Sequence, residues 1–242
     1  MGLIKRNWFY RLAVSGRYAP QGVVDKTFGQ WVDPETINIR GFEDLAGIPE
    51  AISQFRELKR QIVEQADAVK TIRKEEEDKK SKFGGKLPQW VLLEGSAGNG
   101  KTLIITALAK ECGVPVFVIS GSDFVEMLVS LGANRVREMF SDAREKRPCI
   151  IFIDEIDAVG RARSRGSSDP EADQKLSQIL VELQGLNTCN QNFRLWILAA
   201  TNRADILDKV LLCPGRFTWK IKVEPPNLDG RVAQSRLRSE SA

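Results

Sequence analysis

The chain has 242 residues, 42% hydrophobic and 28% charged, which suits one large domain or one domain with appendages. Lys and Arg number 36 against 32 Asp and Glu, and the resulting +4 is too mild to argue by itself for nucleic acid or anionic lipid. The absence of histidine excludes more: no His general base, no His-ligated zinc, no Ser-His-Asp or Cys-His pair and no H-E-x-x-H helix.

Residues 1–40 scatter Trp8, Phe9, Tyr10, Tyr18, Phe28 and Trp31 among Gly, Pro and basic residues, and read as an N-terminal appendage with short local structure, a strand or a docking arm. From Glu50 to Lys82 the apolar residues Ile52, Phe55, Leu58, Ile62 and Val63 recur at helical spacing. The mixed-charge run from Lys74 to Lys80 reads as a solvated helix face, and Phe83-Gly84-Gly85-Lys86-Leu87-Pro88 breaks the helix. Beyond Pro88, five short apolar runs (Trp90–Leu93, Val116–Ile119, Cys149–Ile153, Leu195–Ala199 and Ile221–Val223) have helical stretches between most of them. That alternation predicts an α/β fold, with a mostly parallel five-stranded sheet covered on both faces. Ligands of such sheets bind beyond the carboxyl ends of the strands. Cys112, Cys149, Cys189 and Cys213 form no C-x-x-C pair, which fits a reducing, intracellular setting. No apolar run approaches the ~18–20 residues that span a bilayer.

The strand ends carry the chemistry. Gly95-Ser96-Ala97-Gly98-Asn99-Gly100-Lys101-Thr102 matches G-x-x-x-x-G-K-S/T between a strand and a helix that starts at Leu103. Its glycines let the backbone wrap a polyphosphate, so that N–H groups and the helix N-terminus face the negative charge. Lys101 is expected to reach the β- and γ-phosphates and the Thr102 hydroxyl to ligate Mg²⁺. The third apolar run leads straight into Asp154-Glu155. Two carboxylates ending a buried strand are costly unless they meet a cation or donors. Asp154 suits the Mg²⁺ shell beside Thr102, and Glu155 suits the base that orients and deprotonates a water. Asn202 follows the fourth run, where an amide can touch both the γ-phosphate and that water. Arg216, on the Pro214-Gly215 turn, is placed to serve as a finger for a neighbour's γ-phosphate.

These pieces in this order resemble the AAA+ ATPases, which have the P-loop NTPase three-layer αβα fold. Ile119-Ser120-Gly121-Ser122-Asp123-Phe124-Val125-Glu126-Met127, Arg135-Val136-Arg137-Glu138-Met139-Phe140 and the stretch from Pro148 to Gly160 look like the ATPase module of FtsH-type membrane-bound AAA proteases. The likeness covers about residues 41–235. It implies ATP and Mg²⁺ as cofactors, and it places the adenine-reading backbone at Asp44, Ala46 and Gly47. It implies a homo- or hetero-hexamer with AAA+ relatives that threads a polypeptide substrate through a central pore, and a membrane-associated partner. No basic stripe with interleaved aromatics follows the motifs, so a nucleic-acid partner is not expected. The domain layout expected is an appendage over residues 1–40, a large α/β domain over 41–228 and the start of a truncated helical lid over 229–242. The zinc protease domain is expected to be absent.

The chain departs from the family pattern at several points. Leu128-Val129-Ser130 stands where the pore loop has an aromatic followed by Val-Gly. Cys213 replaces the first of two arginines around the Pro-Gly turn, Gln184-Gly185-Leu186 replaces an Asp-Gly-Phe signal, and Ser96-Ala97 and Asn99 replace Pro-Pro and Thr. The expected activity is ATP hydrolysis coupled to protein remodelling. The alternative is a nucleotide-binding structural subunit with little turnover.

Overall fold

The strands form where runs of β-branched, aromatic and aliphatic residues meet. In the computed structural model, which describes residues 28–71, 90–131, 133–159, 194–213 and 215–240, they are β1 (Gln30–Val32), β2 (Trp90–Glu94), β3 (Val116–Ser120), β4 (Cys149–Asp154), β5 (Leu195–Thr201) and β6 (Trp219–Lys222). The helices are α1 (Pro49–Thr71), α2 (Lys101–Cys112), α3 (Gly121–Leu131), α4 (Ala133–Glu145) and α5 (Leu228–Glu240). The strands make one sheet in the order β1-β3-β4-β5-β2-β6, in which β2 to β6 are parallel.

Successive residues of the central strands point to opposite faces, and both faces are apolar. Leu92, Ile151, Ile153, Ile197 and Ala199 join a core with Phe124 and Met127 of α3 and Val136, Met139 and Phe140 of α4. Val91, Leu93, Ile150, Phe152, Trp196 and Leu198 join a second core with Phe55, Leu58 and Ile62 of α1 and Ile104, Ile105 and Leu108 of α2. The result is the expected three-layer αβα arrangement. Phe55, Leu58 and Ile62 are each 0% exposed. At ~1.5–3 kcal/mol for burying such a side chain, packing rather than propensity holds α1 in place.

Two expectations are corrected. The sheet has six strands rather than five, because Gln30–Val32 adds an antiparallel edge strand beside β3. The folded body also begins before residue 41: Val32 and Ile37 are buried, and Trp31 packs on Phe117 with ring centroids 5.2 Å apart. Lys146 Nζ lies 4.4 Å from the Trp31 ring centroid, a cation–π contact on the same strand. A three-residue strand carries too little periodicity to be read locally, and its partner is far along the chain. The predicted helix beyond Thr71, its Gly-Gly-Pro break, Cys189 and Gln184-Gly185-Leu186 lie outside the described residues. Among the described residues, no helix is long and apolar enough to cross a membrane.

The connections out of β2 and β5 run in opposite directions, to β3 on one side and to β6 on the other. Their carboxyl ends therefore flank the crevice where a doubly wound sheet binds ligands.

Candidate functional site

The loop from Gly95 to Gly100 leaves β2 at that crevice and feeds directly into α2, which starts at Lys101, two residues earlier than the sequence suggested. Gly98 and Gly100 have φ of 86° and 80°, the left-handed region in which glycine is at ease, and a Cβ on either would meet nothing within 4 Å. The loop is thus an open, exposed cradle of backbone with the N-terminus of α2 beneath it. Asn99 Nδ2 donates to the Val223 carbonyl at 2.8 Å, and Gly95 N donates to Thr201 O at 3.3 Å. These bonds fasten the loop to the segment after β6 and to the end of β5.

Lys101 is only 6% exposed, and its ammonium donates to Gly95 O at 2.7 Å, Ser96 O at 2.9 Å and Asn202 Oδ1 at 2.7 Å. Burial lowers the Lys101 pKa, opposed by the carboxylates of Asp154, Asp157 and Glu155. Thr102 Oγ1 donates to Asp154 Oδ2 at 2.9 Å. The structure therefore brings Lys101, Thr102, Asp154 and Asn202 together from α2, β4 and the end of β5. Leu103 lies in the first turn of α2 and is partly buried against the α1–α2 core.

Glu155 is exposed at the end of β4 and takes a left-handed conformation, φ 53° and ψ 49°, uncommon for a residue with a side chain. Its backbone N–H donates to Asp154 Oδ1 at 2.9 Å. The turn that follows, Ile156–Ala158, is braced by Gly121, where any Cβ would collide with the Glu155 carbonyl.

Ala46 and Gly47 lie against α5, and Asp44, in the turn just before them, is held by Arg40. The Asp44 carboxylate accepts from Arg40 N and Arg40 Nε, both at 2.8 Å, and the Arg40 backbone N–H foremost holds its pKa below the ordinary value. Ala46 O accepts from Gln234 Nε2 at 2.9 Å, and Gly47 lies against Gly230. Arg216 is not joined to the phosphate-side group: its Nη1 donates to Val210 O of its own turn at 2.6 Å. Leu128, Val129 and Ser130 fall on α3. Burial pushes the Cys112 and Cys149 thiols up to about 12, so neither supplies a thiolate at neutral pH.

Sequence reasoning missed two polar residues at the site. Thr201 is fully buried, and its Oγ1 donates to Asp157 Oδ1 at 2.8 Å while accepting from Arg203 N at 2.9 Å. Asp157 stood in plain view two positions after Glu155, but nothing local shows which partner it takes.

Residues 91–225 match the family described as "ATPase family associated with various cellular activities (AAA)". The chain belongs to the AAA ATPases. This AAA ATPase is 47% identical over 203 residues to the ATP-dependent zinc metalloprotease FtsH of Chlorobium luteolum, covering 83% of the chain and 27% of the relative. It is 49% identical over 194 residues to that of Rhodothermus marinus, covering 79% and 26%, and 44% identical over 228 residues to that of Cupriavidus metallidurans, covering 93% and 33%. The chain thus spans a quarter to a third of the length of these relatives, and the matched part is their ATPase module.

Proposed function

We propose that this AAA ATPase module binds ATP with Mg²⁺, hydrolyses it at the ends of β2, β4 and β5, and couples turnover to polypeptide remodelling in a homo- or hetero-hexameric ring of AAA+ relatives. The observation that carries this reading is the Lys101–Asn202 contact beside the Thr102–Asp154 contact, two polar bridges at the mouth of an open glycine cradle. The donor set suits the metal: a hydroxyl and a carboxylate are hard oxygen ligands, and Mg²⁺ commonly takes one or two of these with phosphate oxygens and water. Thr102 and Asp154 would hold it, and it would neutralise charge on the phosphates.

The chain's own residues divide the remaining work. Backbone N–H groups from Ser96 to Lys101, with Leu103 following in the first turn of α2, receive the phosphates at the helix N-terminus. Lys101 exchanges its carbonyl acceptors for phosphate oxygens and recovers the favourable field that burial had cost it. Glu155, exposed and close to Asp154, orients a water and accepts its proton. Asn202, released from Lys101, donates to the γ-phosphate side and helps to hold that water. Asp44, Ala46 and Gly47 present backbone to the base, close to α5, which we assign to the start of the helical lid from residue 229 after a large domain ending at 228. Arg216 acts on a neighbouring subunit's nucleotide. By likeness to the FtsH relatives, the ring works beside a membrane-associated partner.

A second reading, a structural subunit with little turnover, is favoured by Cys213 at the finger turn and by the hold of Val210 O on Arg216. Steady-state hydrolysis of Mg-ATP separates the two, measured over a hundredfold range of protein concentration with and without an unfolded polypeptide. Turnover per subunit that rises with concentration and with polypeptide is the expected result. ATP binding with no turnover under any of these conditions favours the structural subunit.

A further inference from the structure

The turn carrying Glu155 and the strand end carrying Asn202 belong to neighbouring parallel strands, β4 and β5. Strand pairing alone does not fix the two residues relative to each other. The last paired positions of these strands are Ile153 and Ala199, so Glu155 and Asn202 both lie past the ladder. Something beyond the sheet must hold them in register.

We infer that Thr201 and Asp157 are positioning residues, whose side-chain bridge sets the spacing between Glu155 and Asn202 for hydrolysis. Asp157 follows Glu155 by two residues in the same short turn, and Thr201 precedes Asn202 by one. The Thr201 hydroxyl donates to Asp157 Oδ1 at 2.8 Å and accepts from Arg203 N at 2.9 Å, so one buried oxygen anchors the residues on both sides of Asn202. Thr201 is 0% exposed. On its other side the turn is backed by Gly121, pressed against the Glu155 carbonyl. Glu155 is therefore clamped from both sides in a left-handed conformation that it would leave if released. Among the described residues, Thr201 meets the P-loop only through its main chain, where its carbonyl accepts from Gly95 N at 3.3 Å, a contact that a side-chain substitution leaves in place. The bridging side chains make no hydrogen bond to Lys101, so ground-state nucleotide binding should be little changed when the bridge is lost.

The inference rests on the hydrolytic reading above, and its test keeps the two apart. The parent, Thr201→Val and Thr201→Ser are compared by single-turnover hydrolysis with protein in excess over Mg-ATP, by ADP affinity, and by affinity for ADP with aluminium fluoride, a mimic of the transferring phosphoryl group. Thr201→Val keeps the shape and loses the donor. Turnover and the preference for the fluoroaluminate complex over ADP should fall about 10- to 100-fold, with ADP affinity within twofold of the parent, because small misplacements of reacting groups are costly. Thr201→Ser restores the hydroxyl and should recover at least half of the parental rate. Asp157→Asn keeps an acceptor oxygen and should behave like Thr201→Ser, whereas Asp157→Ala should behave like Thr201→Val. This second pair covers the case in which Thr201→Val does not fold. A purely structural bridge predicts lower melting temperatures with no change in the ratio of the two affinities, and that result overturns the inference. So does a serine variant as impaired as the valine. A parent that neither hydrolyses ATP nor prefers the fluoroaluminate complex overturns the hydrolytic reading and the inference with it.

Discussion

At the carboxyl ends of β2, β4 and β5 the polar contacts cross between elements, whereas the turn bearing Arg216 is bonded mostly to itself. Lys101 reaches Asn202, Thr102 reaches Asp154, Thr201 reaches Asp157 and Asn99 reaches Val223. At the turn, Arg216 Nη1 bonds Val210 O, Arg216 N bonds Cys213 O, and the Cys213 thiol lies 3.5 Å from Lys209 O. The first region is held by contacts between neighbouring strands and the helix after β2, a rigid support of the kind that electrostatic catalysis uses. In the second, among the described residues, the guanidinium is held by an exposed hydrogen bond to its own turn, worth ~1 kcal/mol net. A centre built this way should be sensitive to single changes, and a turn built this way should be tolerant in the monomer and matter only on assembly.

The largest expected effect is at Lys101. Lys101→Ala should abolish measurable ATP binding in a calorimetric titration, and with it any nucleotide-induced rise in melting temperature. Affinity retained within tenfold of the parent would mean that the crossing contacts are structural only. The same lysine gives a pH test. Burial lowers its pKa, so affinity should decline with rising pH earlier than the ordinary lysine value would dictate. Lys101→Arg, which stays charged, should move that decline to higher pH in whatever binding it retains.

Glu155→Gln comes next. The amide keeps the shape but accepts no proton, so turnover should fall about 10²- to 10⁴-fold while ATP affinity holds. Hydrolysis at the parental rate would remove Glu155 from the mechanism.

Arg216→Ala and Cys213→Arg test the other side of the comparison. The alanine should lower turnover only at concentrations where subunits assemble, leaving monomer ATP binding and melting temperature unchanged. Restoring a second cation at 213 should raise concentration-dependent turnover, in the direction of the ~10³–10⁵ that a working arginine finger supplies. Rates independent of concentration, and untouched by either change, would leave Arg216 as a surface charge.

The smallest effect is expected away from both regions. The Glu111 carboxylate accepts from Phe42 N at 3.1 Å and is paired with Lys59, and that pairing first holds its pKa below the ordinary value. A carboxyl lowered on folding adds stability above the unfolded pKa and loses it as pH falls through the lowered one. Glu111→Gln should therefore cost about 1 kcal/mol at neutral pH and less in acid. Chemical denaturation at two pH values reads the difference, and equal losses at both would break the assignment.

Much of the phosphate-side group could be read along the chain, because its signal is local. Gly95 to Thr102 is contiguous, and Asp154-Glu155 ends a continuous apolar run. A strand was one of the readings of residues 1–40, but its place at Gln30–Val32 and its pairing were not legible, since three residues show no period and the pairing with β3 depends on the folded sheet. The Thr201–Asp157 bridge was not legible either. Both residue types suit a turn equally well, and the choice of partner follows from the register of β4 against β5. Asn99 could be read as part of the phosphate loop and as a departure from a threonine, but its side-chain partner, the Val223 carbonyl, could not be read.

The sequence by itself determined the strand–helix alternation, both buried faces of the sheet and the glycine cradle with its lysine, because backbone freedom, side-chain period and charge are properties of neighbouring residues. Tertiary structure alone decided which polar groups meet. Lys101 and Asn202 are 101 positions apart, Asn99 and Val223 are 124 apart, and Thr201 and Asp157 are 44 apart. A hydrogen bond is made only within ~3 Å and at the right angle. Strand order and register set those separations, and no local pattern records them.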